Sequence, residues 1–236
     1  MSFANAFTPE RMAEAWECLL TEFPFALWET LYSTILSTLF AIVIGLPLGV
    51  ILVTGEQKGI RPLPRLLMNF LNVLINLLRS VPFIILMVMI IPLTRVIVGT
   101  SVGTMASIVP LTVAAFPFIA RLVESSLREL NPNIIETAQS MGATPMQIVM
   151  KVMLPESVPS LITNFTLAIT TIMGYTAMSG AVGGGGLGKL ALSYGYQRYR
   201  YMILYLAVIV LVIITQVLQS FGTWLARKCD KRLRNK

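Results

Sequence analysis

The residues whose spacing most suggests chemistry are glycines. Between Ser179 and Leu190 the chain reads SGAVGGGGLGKL. Gly183, Gly188 and Lys189 stand at the spacing of a Walker A loop, and Gly183, Gly185 and Gly188 at that of a dinucleotide fingerprint. Either motif would hold phosphates on backbone N–H groups at a helix N-terminus. A Walker A loop needs Ser or Thr after its Lys to bind magnesium, and here Leu190 follows. It also needs a Walker B aspartate, and the single aspartate, Asp230, lies in a basic tail. A dinucleotide site needs a βαβ unit, whereas a long apolar run precedes these glycines. Nucleotide binding is therefore not expected. The glycines are expected to end a helix and allow sharp turns and close helix approach. With no histidine and one aspartate, a Ser-His-Asp triad and a His-based zinc site are excluded, and no catalytic or metal-ligating residue is assigned.

The elements around the glycines are set by composition. The chain is 56% hydrophobic and 12% charged, against about 25% charged in a soluble domain. Crossing hydrocarbon takes about 20 apolar residues in a helix. The apolar runs here are too long and too irregular for barrel strands. They predict an all-α integral membrane protein with five spans, at about 30–53, 66–93, 104–127, 157–182 and 202–226. Residues 1–29 form an acidic extension, in which Met12, Trp16, Leu19, Leu20 and Phe23 follow the spacing of an interfacial helix. The start lacks the basic region and short apolar core of a signal peptide. Residues 30–226 form the membrane domain and 227–236 a basic tail.

Charge sets the expected orientation. Glu10, Glu14, Glu17, Glu22 and Glu29 face Arg11 alone at one end; Arg227, Lys228, Lys231, Arg232, Arg234 and Lys236 face Asp230 at the other. Five spans and the positive-inside rule put the N-terminus outside and the C-terminus in the cytoplasm. Lys58, Arg61 and Arg65 agree; Lys189, Arg198 and Arg200 run against the rule. The basic tail fits anionic lipid, and no aromatic–basic face points to nucleic acid. Cys18 and Cys229 fall on opposite sides, so no intrachain disulfide is expected.

The loop at 128–155 carries more information. In NPNIIETAQSMGATPMQIVMKVMLP, Asn131 can cap a helix with Pro132 at its first position, or Asn133 and Glu136 can form a capping box. Gly142 can close that helix in a left-handed conformation. Thr144 then caps a second helix, with Pro145 at its first position and Pro155 as its stop. This loop resembles the cytoplasmic signature of ABC-importer permeases, E-A-A with a Gly six residues after the Glu and then I-x-L-P. Glu136, Ala138, Gly142, Leu154 and Pro155 match; Thr137 replaces an Ala and Val152 the Ile.

Further stretches, RSVPFIILMVMIIPLTRVIVGTS (79–101), VPLTVAAFPFIARLVESSL (109–127) and GYTAMSGAVGGGGLG (174–188), resemble the permease subunits of methionine ABC importers. The likeness covers about 28–221. It implies the type I ABC importer permease fold, with a coupling-helix loop that meets the ATPase through Glu136, Thr137, Ala138, Met141, Gly142, Ala143, Leu154 and Pro155. It implies a homodimer, two ATPase subunits that carry ATP and magnesium, and an extracytoplasmic methionine-binding protein. No cofactor is expected on this chain. A permease for another small solute and a stand-alone channel are the alternatives.

The pathway is sought among the residues near the glycines. Met173, Tyr175, Met178 and Ser179 lie at the end of the fourth span, and Met suits a thioether ligand or a flexible plug. Ordinary packing or lipid-facing Met is the competing reading. The charges read inside the spans are Arg79 and Glu124. Arg79 either lines the pathway or, as Ser80-Val81-Pro82 favours, donates to carbonyls freed at a helix break. For orientation, a reporter fused after Lys236 should be active in the cytoplasm and one placed before Thr8 outside. The opposite pattern would overturn the assignment.

Overall fold

The computed structural model describes residues 9–57 and 59–230, with backbone alone for 9–11 and 13–15. Lys58, Lys231, Arg232, Arg234 and Lys236, and the side chains of Glu10, Arg11 and Glu14, lie outside the described residues. Among the described residues the chain is helical and has no strand. Its α-helices are α1 Pro9–Thr21, α2 Phe23–Thr54, α3 Arg65–Ser80, α4 Phe83–Met89, α5 Ile91–Val98, α6 Thr104–Arg128, α7 Pro132–Ser140, α8 Pro145–Ile148, α9 Leu154–Ser179, α10 Gly186–Leu190 and α11 Tyr201–Cys229. Four helical runs among them are long and apolar enough to cross a membrane, or five if the bent pair α3–α4 counts as one span.

Two boundaries differ from expectation. The second apolar run, 66–93, is not one helix. Val81 (φ −77, ψ 125) and Pro82 (φ −57, ψ 135) are extended. A proline disfavours the α conformation in the residue before it and cannot donate to the previous turn, so α3 ends at Ser80. Nor does Pro155 stop a helix. The chain is helical from Pro145 to Val182, with a π-turn at Val149–Met153 and Pro155 second in α9. The widened turn includes Lys151, whose carbonyl a proline four residues later would otherwise strike.

Contacts gather the described residues into two units. The first takes in those up to Thr38, Pro82–Val113 and Ile169–Leu218; the second takes in Leu39–Val81, Ala114–Ala168 and those from Gln219 on. In the first unit, Cys18 and Phe23 pack with Ala26, Leu187, Leu190, Ala191, Ile203 and Ala207. Helix α1 therefore has one edge in a core, while Met12, Trp16 and Leu20 remain exposed on it. Burial, reinforced by Glu22, pushes the Cys18 thiol up, and both cysteines are free.

Polarity is inverted along α2. Thr30, Ser33, Thr34, Ser37 and Thr38 are buried, whereas Ile35, Leu39, Phe40 and Val43 are exposed. Most of these hydroxyls donate to carbonyls one turn back, as Ser37 does to Ser33 at 2.6 Å and Thr38 to Thr34 at 2.7 Å. Small, self-satisfied polar residues let helices approach, and the apolar face is left for lipid.

In the second unit, Leu52, Met68, Ile75 and Ala120 form a core. Gly45 and Gly49, one turn apart, bring α2 against α6. A Cβ at Gly49 would lie 2.6 Å from the Ala120 carbonyl oxygen, and one at Gly45 2.8 Å from that of Phe116. Gly49→Leu should therefore destabilise the detergent-purified protein by about 1–3 kcal/mol, read as a lower melting temperature. Gly174→Leu is the control, since its Cβ meets nothing within 4 Å; equal melting of the two variants would contradict this packing.

Candidate functional site

Helix α7 is made by its caps. The Asn131 side chain accepts from the Asn133 N–H at 3.0 Å, with Pro132 in the first turn, so the Asn133–Glu136 register is not used. At the other end, Ala143 N–H donates to Ala138 O (3.1 Å) and Gly142 N–H to Gln139 O (2.9 Å). That is the paired bonding of a Schellman end, and it requires the left-handed Gly142, φ 77. Thr144 and Gln147 then cap α8 reciprocally, Thr144 N–H to Gln147 Oε1 at 2.9 Å and Gln147 N–H to Thr144 Oγ1 at 3.4 Å.

No residue of α7 is buried. Ile134 and Met141 are exposed, and Ala138, between them at helical spacing, is half-buried. Met146 and Met150 extend this apolar exposure, while Ile148 and Met153 turn inward to 1% exposure each. Glu136, Thr137, Gly142 and Pro155 are exposed; Ala143 and Leu154 are half-buried. The result is a capped helix pair presenting methionines and a carboxylate outward. Met side chains adapt to a partner surface.

The four residues proposed for the pathway do not share one face of α9. Met173 is buried, 3.2 Å from the Thr215 hydroxyl. Tyr175 stacks on Phe83 with ring centroids 4.7 Å apart. Ser179 is buried and donates to Thr176 O at 2.7 Å. Met178 alone of the four is exposed, at 47%, on the face that also carries Gly174 and Leu167.

Arg79 does not hold the helix break. It is exposed, and among the described residues no hydrogen bond or ion pair reaches it. The working intramembrane cation is Arg121, which lies in the same run as Glu124 and meets the criterion that singled out Arg79. Its Nη1 lies 2.6 Å from Glu124 Oε2, and its Nη2 donates to Asn72 Oδ1 at 2.8 Å and Asn76 Oδ1 at 3.0 Å. Glu124 also pairs with Arg128 at 2.8 Å, and Arg128 with Glu56 at 2.5 Å. This network fastens α3, α6 and the turn after α2. A second polar tie joins α6 to α9: Asn164 donates to Ser126 Oγ at 2.7 Å, and Ser160 to Glu129 at 2.8 Å.

The glycine stretch is engaged in protein contacts. Gly186 N–H donates to Glu29 Oε2 at 2.7 Å and Leu187 N–H to Thr30 Oγ1 at 2.9 Å. The amides that a phosphate loop would offer its ligand are thus already paired. Glu29 is not part of a solvated acidic extension, because its other oxygen accepts from Thr104 at 2.6 Å.

Inverted polarity and an exposed, capped helix pair define a membrane-embedded transport subunit. The chain belongs to the binding-protein-dependent transport system inner membrane components, matching that family over residues 45–235. It is 48% identical over 208 residues to the probable D-methionine transport system permease protein MetI of Vibrio cholerae serotype O1, covering 88% of this chain and 92% of that one. It is 52% identical over 153 residues to the D-methionine transport system permease protein MetI of Escherichia coli strain K12, covering 65% and 70%. A solved structure of inward-facing conformations of the MetNI methionine ABC transporter matches with a TM-score of 0.84 at 47% identity, over 86% of this chain and 94% of that one. An amino acid ABC transporter shares the fold at 16% identity, with a TM-score of 0.75. The fold is the type I ABC importer permease fold.

Proposed function

We propose that the chain is the permease subunit of an ATP-driven importer that carries methionine, in both L and D forms, across the inner membrane. The observation that carries this reading is the α7–α8 pair: a helix with no buried residue and every cap in place, on a chain with 48% identity to a D-methionine permease. A helix that buries nothing of its own is suited to lie in a groove of another protein. Two ATPase subunits, holding ATP and magnesium, would each receive one such helix from a homodimer of this chain. A methionine-binding protein would deliver substrate from the side of the N-terminus, and the basic C-terminal end would face the cytoplasm. ATP-driven closure of the ATPases would draw the two helices together and rock the spans between outward-open and inward-open states.

The test is uptake of labelled methionine by proteoliposomes holding the permease, ATPase and binding protein. ATP-dependent uptake competed by unlabelled methionine supports the reading. Competition by another solute alone would reassign the substrate, and uptake without ATP would indicate a channel.

Glu136 makes no hydrogen bond or ion pair among the described residues, so Glu136→Lys should leave the fold intact and strike docking. Gly142→Asp meets open space, and its cost comes from φ 77, about 1–2 kcal/mol. Both should insert normally yet co-purify with less ATPase or transport more slowly; normal association and uptake in both would refute the docking role.

Met178 is proposed as the gate, two copies meeting where the small residues of α9 allow close approach. Met178→Ala should raise leak or uncoupled ATP hydrolysis, and Met178→Cys should crosslink two subunits in the closed state. Wild-type coupling together with no crosslink in any nucleotide state would eliminate the gate.

A further inference from the structure

Within the first unit, the glycine turn after α9 is held at successive points. Gly183 O accepts from Gly103 N–H at 2.8 Å, and Gly184 N–H returns to Ser179 O at 2.9 Å. The amides of Gly186 and Leu187 go to Glu29 and Thr30. Glu29 is the one side chain here that reaches two elements at once. Its Oε2 receives the turn, and its Oε1 receives the hydroxyl of Thr104, the first residue of α6. The fit leaves no slack. A Cβ at Gly185 would lie 1.8 Å from Thr104 Oγ1 and 2.7 Å from Glu29 Oε2, and one at Gly180 2.2 Å from Lys189 N. The end of α9 that carries Met178 and Ser179 is thus tied to this turn, and Glu29 holds the turn together with the Gly103 amide and the Thr30 hydroxyl.

We propose that Glu29 is a positioning residue for transport: by bridging Thr104 and Gly186 it sets the end of α9 that bears Met178, and so holds the closed state against unprompted opening. This rests on the importer reading given above. The carboxylate acts as a two-ended acceptor, and its charge is not needed for the chemistry of transport. That distinction makes the role testable. A glutamine keeps the bridge, because its amide oxygen can accept from Gly186 N–H while its NH2 donates to Thr104 Oγ, which accepts as readily as it donates. An alanine loses both arms.

In the reconstituted complex of permease, ATPase and binding protein, ATP hydrolysis with and without loaded binding protein is measured alongside methionine taken up per ATP. Glu29→Ala should raise hydrolysis in the absence of binding protein and lower uptake per ATP, by about tenfold or more, the scale of losing hydrogen bonds to a charged group. Glu29→Gln should stay close to wild type. Alanine with wild-type coupling, or glutamine as damaged as alanine, would overturn the proposal. If the alanine variant fails to assemble, Thr104→Val removes one arm alone; it should show partial uncoupling, and unchanged coupling would count against the role. Hydrogen exchange at the Gly186 amide of the purified permease, which donates to Glu29, reads the clasp without any transport. Faster exchange in Glu29→Ala but not in Glu29→Gln is expected, and no change in either would refute the bridge. An opened Gly186 amide in the variant beside a wild-type complex that takes up no methionine would instead refute the importer reading.

Discussion

A backbone amide inside a bilayer has no water to turn to, so every place where a helix ends at membrane depth must supply its own partners. Long helices meet this requirement along most of the chain. The difficulty concentrates where helices stop, after α9 and between α3 and α4. Each is solved differently. After α9 the carboxylate of Glu29 and the hydroxyl of Thr30 take two consecutive amides. Between α3 and α4 a proline stands at the break, so one amide that would need a partner does not exist.

The same constraint explains the distribution of polarity. In α2 the hydroxyls of Thr30, Ser33, Ser37 and Thr38 are buried and bond to their own helix, and Ile35, Leu39, Phe40 and Val43 are exposed. Gly45 and Gly49 let α2 lie close to α6, where dispersion between close-packed backbones replaces the hydrophobic drive that lipid does not provide. At Arg121 a counter-charge and two amide oxygens hold the two terminal guanidinium nitrogens. An ion pair of this kind fixes geometry more surely than it adds stability.

The α7–α8 pair obeys different rules because most of its side chains are exposed. It is held by caps, with the Schellman end at Gly142 closing the C-terminus of α7 and the reciprocal Thr144–Gln147 box closing the N-terminus of α8. Caps leave the side-chain faces free. Exposed Met141, Met146 and Met150 therefore cost the fold little, and they give a partner a soft apolar surface.

What the sequence alone determined is what acts over a few residues. Apolar run length gave the helical membrane class, and Asn131-Pro132, Gly142 and Thr144-Pro145 placed the two short helices, because a cap needs a partner only two to five residues away. The fold class and family were likewise legible, through the Glu136–Gly142 signature and the glycine stretch. What tertiary structure decided is which charge meets which partner. Glu29 reads as one more acid in an acidic extension until Thr104, 75 residues on, and Gly186, 157 residues on, are brought to it. Arg79 and Arg121 look alike as charges in apolar runs, and only the arrival of Asn72 and Asn76, 49 and 45 residues away, separates the anchored one from the exposed one. The faces of α9 follow the same logic: 3.6-residue periodicity says that Met173 and Met178 point differently, but not which of them the neighbouring helices cover.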